Sequence, residues 1–186
     1  YAAPYSGLGN AYRAIGRPDA AVAAFEEAIE IDPNIASAYS GLGDVNFDAK
    51  RISQAISYYE KAVELGYKKA ATYDQLAKAY RSNGQYRQAL EAHQMAISLE
   101  PGYAVSYDNL GDVYMALGCF EDACDAYQTS VVSYESAPRP LIGQGEALYA
   151  MGRYEEARQA YEQAAEMDPQ QAASFRGMGN IYLAKG

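Results

Sequence analysis

The sequence predicts an all-α chain of antiparallel helix pairs stacked side by side, and three observations carry that reading. Residues recur with a period of 34 from end to end, as in Tyr5, Tyr39, Tyr73 and Tyr107, continued by Leu141 and Phe175 without an insertion. Within each period, apolar positions 4, 7, 8 and 11 form one stripe at helical spacing, and positions 20, 24 and 27 form a second. A glycine separates the stripes and a proline often follows the second, where helices stop.

The period defines five full units, 2–35, 36–69, 70–103, 104–137 and 138–171, and a partial unit 172–186. The first helix carries Leu8, Leu42, Leu76, Leu110, Gln144 and Met178 in one register, with Gly9, Gly43, Ala77, Gly111, Gly145 and Gly179 next to it. Tyr12, Asn46, Tyr80, Tyr114, Leu148 and Tyr182 follow one turn later. Gly16, Gly84, Gly118, Gly152 and Gly186 then mark the turn. The second helix repeats Ala21, Ala55, Ala89, Ala123 and Ala157, then Phe25, Tyr59, His93, Tyr127 and Tyr161, then Ala28, Ala62, Ala96, Ser130 and Ala164. Pro33, Pro101 and Pro169 close three units, and no proline stands near Tyr67 or Glu135. One such pair cannot bury both stripes, so neighbouring pairs must stack.

These registers resemble the tetratricopeptide repeat, whose pattern runs W-x2-L-G-x2-Y, then A-x3-F, then A, then P. The resemblance covers the whole chain and implies one array over 1–186, a right-handed superhelical solenoid with a concave groove lined by the first (A) helices. The chain departs from the pattern with Tyr for Trp at the first position, and at Asn46, His93 and Ser130. The resemblance also implies a protein-binding role without catalysis.

Composition narrows the function further. The net charge of −9 disfavours nucleic acid and anionic membrane as partners. The longest apolar run, Ala20 to Phe25, is far too short to span a bilayer. No basic-then-apolar leader is seen, so a cytoplasmic chain is expected. Cys119 and Cys124 are read as free thiols in a reducing compartment, and with a single histidine there is no ligand set for zinc. No cofactor is expected. Thirteen of the nineteen tyrosines fall at core positions 4, 11, 17 or 24, which argues for packing. His93 at position 24 is read as a packed substitute for an aromatic ring.

The Gly-x-Gly pairs 7–9, 41–43, 143–145 and 177–179 invite a nucleotide-loop reading. Tyr12, Asn46, Leu148 and Tyr182 occupy the place of the third glycine that reading needs, and no strand precedes any copy, so it fails. The second glycine of each pair is expected to pack against a second (B) helix. The first, Gly7, Gly41, Gly143 and Gly177, is expected to leave bare backbone on the groove floor. Tyr5 and Leu8 are expected in the core.

By the resemblance, positions 2, 5, 6, 9, 12 and 13 line the groove. They supply the candidate partner-binding residues Asn10, Arg13, Asp44, Phe47, Asp48, Asp74, Lys78, Arg81, Asp108, Asn109, Asp112, Glu146 and Tyr149. Phe47 and Tyr149 are the candidate aromatic anchors. The carboxylates of units two to four, set around Lys78 and Arg81, admit two readings. One is a site for a peptide with basic residues, and the other is an internal ladder in which Lys78 bridges Asp44 and Asp112. Positions 1–14 balance six acids with six bases, while positions 15–32 hold eighteen acids against seven bases, consistent with a solvated outer face.

The two-carboxylate clamp of chaperone-binding members is not reproduced: one alignment offers Ser6, Asn10, Gly41, Ala71 and Gln75, the other Asp74, Lys78, Asn109, Arg139 and Gly143. An asparagine ladder at position 6 fails too, since only Asn109 matches. Met178, Ile181 and Tyr182 are expected to stay partly uncovered on the last helix, a face through which the chain would self-associate unless more chain or a partner covers it. Three classes follow: an interaction scaffold, a regulatory or targeting segment of a larger protein or enzyme, and a self-assembling scaffold.

Overall fold

A computed structural model describes residues 1–133 and 137–185, and every regular element among them is an α-helix. The A helices are α1 (Ala3–Ala14), α3 (Ala36–Asp48), α5 (Ala70–Ser82), α7 (Ala104–Leu117), α9 (Pro138–Ala150) and α11 (Ala172–Lys185). The B helices are α2 (Pro18–Ile31), α4 (Ile52–Glu64), α6 (Tyr86–Leu99), α8 (Phe120–Ser133) and α10 (Tyr154–Met167). Gly186 and Glu135, at the expected sixth turn and the missing proline, lie outside the described residues.

The chain forms two compact units, Tyr1–Leu99 and Glu100–Gly186. In the first, α1 to α6 pack in sequence, and α3 also touches α1 and α5. In the second, α7 to α11 do the same, and α9 touches α7 and α11. A helices therefore lie beside A helices in both, which makes a continuous A-helix face within each unit.

The turns between A and B helices have one geometry. Gly16, Gly84, Gly118 and Gly152 take φ of +72° to +76°, and Lys50 takes +61° in the second repeat. The residue after each closes back onto the A helix, as in Arg17 N–H to Tyr12 O at 2.9 Å and Arg51 N–H to Asn46 O at 2.9 Å. This six-to-one bond satisfies carbonyls that a helix end leaves open and needs the left-handed residue before it. The second repeat, lacking its closing proline, ends α4 in the same way, with Gly66 at φ +90° and Tyr67 N–H to Ala62 O at 2.9 Å.

On the B helices the core registers hold an alanine and one ring per repeat, facing the leucines and valines of the A helices. Ala21, Ala55, Ala89, Ala123 and Ala157 are all fully buried. Phe25, Tyr59, His93, Tyr127 and Tyr161 are buried at the other core register of the B helices. A methyl placed on Gly9 would come within 2.5 Å of the Phe25 ring, one on Gly43 within 2.6 Å of Tyr59, and one on Gly145 within 2.7 Å of Tyr161.

The first glycines correct the expectation. Gly41, Gly143 and Gly177 are buried, and an added methyl would collide with the ring of the preceding repeat, 2.5 Å from Tyr127 in the case of Gly143. They are the second jaw of the ring clamp, so Phe25 lies between Gly9 and Gly41, and Tyr127 between Gly111 and Gly143. Only Gly7, on the first described helix with no B-helix ring packed against it, meets nothing within 4 Å among the four. For the same reason Tyr5 and Leu8 are 38% and 43% exposed, not core residues as expected. At the other end Ile181 is closed into the cluster around Tyr161 and Ala164, whereas Tyr182 and Leu183 are 71% and 83% exposed. No helix among the described residues is long and apolar enough to cross a membrane.

Candidate partner-binding groove

In the first unit the A-helix face holds two cavities that share Arg13. One, about 340 Å³, is lined by Asn10 and Arg13 of α1, Ser40 and Asp44 of α3, Gln75 of α5, and Lys69 of the loop before α5. The other, about 290 Å³, is mainly apolar, with Gly16, Pro18, Val45 and Ala49 beside Arg13 and Asp48. The Arg13 guanidinium reaches Asp44 Oδ2 at 3.0 Å and Asp48 Oδ2 at 3.4 Å, which fixes it between the two cavities.

Asp44 is also held from beneath. The Tyr59 hydroxyl passes from the clamped ring to donate to Asp44 Oδ1 at 2.8 Å. Burial raises the Asp44 carboxyl above the usual range, and the Tyr59 bond and Arg13 oppose that rise without cancelling it. Burial and the facing Asp44 charge push the Tyr59 phenol far up, so it stays a donor.

Asp74 behaves in the opposite sense. It is 1% exposed, with Lys78 Nζ 2.8 Å from Oδ2 and His93 Nδ1 3.2 Å from Oδ1. Burial alone would raise its pKa, but the adjacent imidazole and ammonium bring it down to about 2. Lys78 thus closes onto its own helix, and within this unit the ladder reading loses its link to Asp44, which takes Arg13 instead. His93 is fully buried as expected of a packed ring, and its Nε2 has no hydrogen-bond partner.

The second unit repeats the Asp–Tyr arrangement. Tyr127 donates to Asp112 Oδ1 at 2.8 Å, and Arg139 grips both Asp112 oxygens at 2.8 and 2.7 Å while also pairing with Asp108. Burial, then the charge of Asp112, pushes the Tyr127 phenol up. Tyr161 is pushed up to about 12 by burial and the charge of Glu146, which is itself exposed.

Several predicted groove residues serve the core. Asn109 is buried, and Phe47 and Tyr149 are half-buried against the clusters around Tyr59 and Tyr161. Tyr149 further packs on Tyr154 at 5.4 Å between ring centres, so neither aromatic stands free as an anchor. Arg81 is half-buried, and Asn10 and Asp48 are exposed.

The sequence reading missed Lys69, whose ammonium sits 4.5 Å over the Tyr67 ring, and it missed the Asp–Tyr bond. The second had a signal. An acid precedes Tyr59, Tyr127 and Tyr161 by fifteen residues, as Asp44, Asp112 and Glu146, while Phe25 is preceded by Asn10.

Among known proteins, the model described as "Tetratricopeptide repeat" matches residues 6–71, and that described as "TPR repeat" matches 77–118 and 145–186. No curated protein matches the chain. The crystal structure of MamA protein is similar at a TM-score of 0.82 and 28% identity, covering 92% of this chain and 93% of that one. YrrB, described as a TPR protein with an unusual peptide-binding site, has a TM-score of 0.83 at 20% identity, over 95% of this chain and 91% of its own. TTC0263, a thermophilic TPR protein in Thermus thermophilus, has a TM-score of 0.70 at 24% identity, over 98% of this chain and 100% of its own. The last two likenesses speak for the fold alone.

Proposed function

Because the chain belongs to the tetratricopeptide repeat family, whose fold supports protein–protein interaction, we propose that it is a non-catalytic, cytoplasmic scaffold binding a segment of a partner protein on its A-helix face. Treating 1–186 as one array is part of that proposal. The observation that carries it is the pair of cavities around Arg13, one polar at about 340 Å³ and one mainly apolar at about 290 Å³. Together they suit an extended or helical segment that lays an aliphatic side chain beside a polar one. The basic-peptide reading has less support, since Asp44, Asp48, Asp74, Asp108 and Asp112 each contact a cation of the chain itself. Lys69 instead offers the polar cavity a cation that no described carboxylate neutralises.

The test is selection of binding segments from a peptide library, followed by titration against two variants. Ser40→Trp fills the polar cavity and is expected to weaken binding at least tenfold, whereas Glu27→Lys on α2 leaves it unchanged. Equal binding by Ser40→Trp and the parent protein would sink the groove assignment. A second reading, self-assembly, is favoured by the exposed Phe175, Tyr182 and Leu183 of α11. Sedimentation at rising concentration distinguishes it, because a strictly monomeric profile removes it.

A further inference from the structure

A third cavity, in the Glu100–Gly186 unit, uses none of the groove positions. It measures about 200 Å³ and is lined by Cys124 and Gln128 of α8, Gln144 and Leu148 of α9, and Gln159 and Gln163 of α10, with the mutually paired Arg153 and Glu156 also on its wall. Its origin can be read from the repeat itself. In the third repeat, the residue equivalent to Leu148 is Tyr80, which packs against the cluster of Ile56 and Tyr59 and donates its hydroxyl to Glu60 at 2.6 Å. Glu60 corresponds by the period to Gln128, Ile56 to Cys124, and Leu76 to Gln144. In the fifth repeat the tyrosine is therefore shortened to leucine and a leucine is exchanged for an amide, while on the facing helix of the fourth repeat the isoleucine becomes cysteine. The space of a phenol ring is left open, with a hydrogen-bonding group still standing where the hydroxyl would end.

The lining matches such a guest. Gln144 donates to Gln128 Oε1 at 2.8 Å, which orients the Gln128 carbonyl side toward donors. Burial pushes the Cys124 thiol up, so the wall it forms is neutral. At about 200 Å³ the pocket has room for one ring, and because it is open and mainly polar it suits a phenol better than a purely apolar guest. We propose that this cavity is a binding site for a phenolic side chain, a tyrosine carried by a partner protein, inserted where the third repeat carries its own Tyr80.

The probe is N-acetyl-tyrosinamide, followed by the side-chain amide signals of Gln128 and Gln144 in ¹H–¹⁵N spectra. Saturable shifts at these two are expected, and N-acetyl-phenylalaninamide should bind about fivefold to tenfold more weakly for want of the hydroxyl bond. Leu148→Tyr should fill the site from within, abolishing binding and raising Tm by a few degrees. Cys124→Ile, which narrows the cavity, should weaken binding at least tenfold. The proposal is overturned by absence of binding, by equal binding of the two amides, by retained binding in both variants, or by a Tm lowered in Leu148→Tyr.

Discussion

The second and third repeats each hold an aspartate against the ring of their B helix, Asp44 half-buried and Asp74 buried, yet they stabilise it by opposite means. In the second repeat the clamped ring is Tyr59, which packs on Gly43 with Gln75 at the register of the other jaw, and its hydroxyl donates upward to Asp44. In the third repeat the ring is His93, Ala77 replaces the glycine, and the aspartate moves four residues earlier to Asp74. A phenol supplies one neutral donor, so burial still raises Asp44. An imidazole and an ammonium together outweigh burial, so Asp74 falls to about 2. The ring at one core register thus dictates where the A helix places its acid and what charge it carries.

The largest effect expected from that difference comes from removing the acids. Asp74→Ala strands Lys78 and His93 over a buried site and should cost about 3–5 kcal/mol, while Asp44→Asn keeps an acceptor for Tyr59 and should cost less than about 1 kcal/mol. Urea melts of both variants check this, and equal losses would break the comparison. The pH dependence carries the same contrast. The folded pKa of Asp74 lies below its ordinary value near 4, so its contribution of about 2 kcal/mol is present above that value and disappears as pH falls toward 2. Asp44, raised in the fold, acts with the opposite sign and costs stability as it ionises. Asp74→Asn should accordingly flatten the acid limb of stability against pH.

The ring clamp comes next. Gly43→Ala forces a methyl to within 2.6 Å of Tyr59 and should cost about 1–3 kcal/mol, although alanine is the native residue opposite the smaller imidazole. Gly7→Ala, with open space around it, should stabilise by about 0.5–1 kcal/mol through helix propensity. Thermal melts that place the two substitutions on the same side of zero would refute the clamp. Tyr59→Phe should cost about 1 kcal/mol and raise the Asp44 pKa further, since the hydroxyl bond was lowering it. NMR titration of the Asp44 carboxyl gives the sign directly. The smallest change is Lys50→Gly, which relieves the φ of +61° and should add about 1 kcal/mol or less, with no counterpart at Gly84 in the third repeat.

Much of this architecture was legible beforehand. The period, the helix pairs, the turn glycines and the buried alanines follow from spacing, because a helix repeats every 3.6 residues and a register fixes which face is apolar. Lys50 and Gly66 fit the same rules once the left-handed requirement of each turn is known. The candidate groove was half legible: Asn10, Arg13 and Asp44 do line a cavity, whereas Asn109, Phe47 and Tyr149 turn toward the core.

What the sequence determined by itself is the repeat, since a strict 34-residue period admits one kind of packing unit and stacking follows from the apolar stripes each unit leaves open. What only the tertiary structure decided is the pairing of side chains across helices. Arg13 choosing Asp44, Lys78 choosing Asp74, and Gly41 closing on a ring of the preceding repeat depend on distances between neighbouring elements. Those distances are set by the size of the side chains between the helices, and period alone does not specify them.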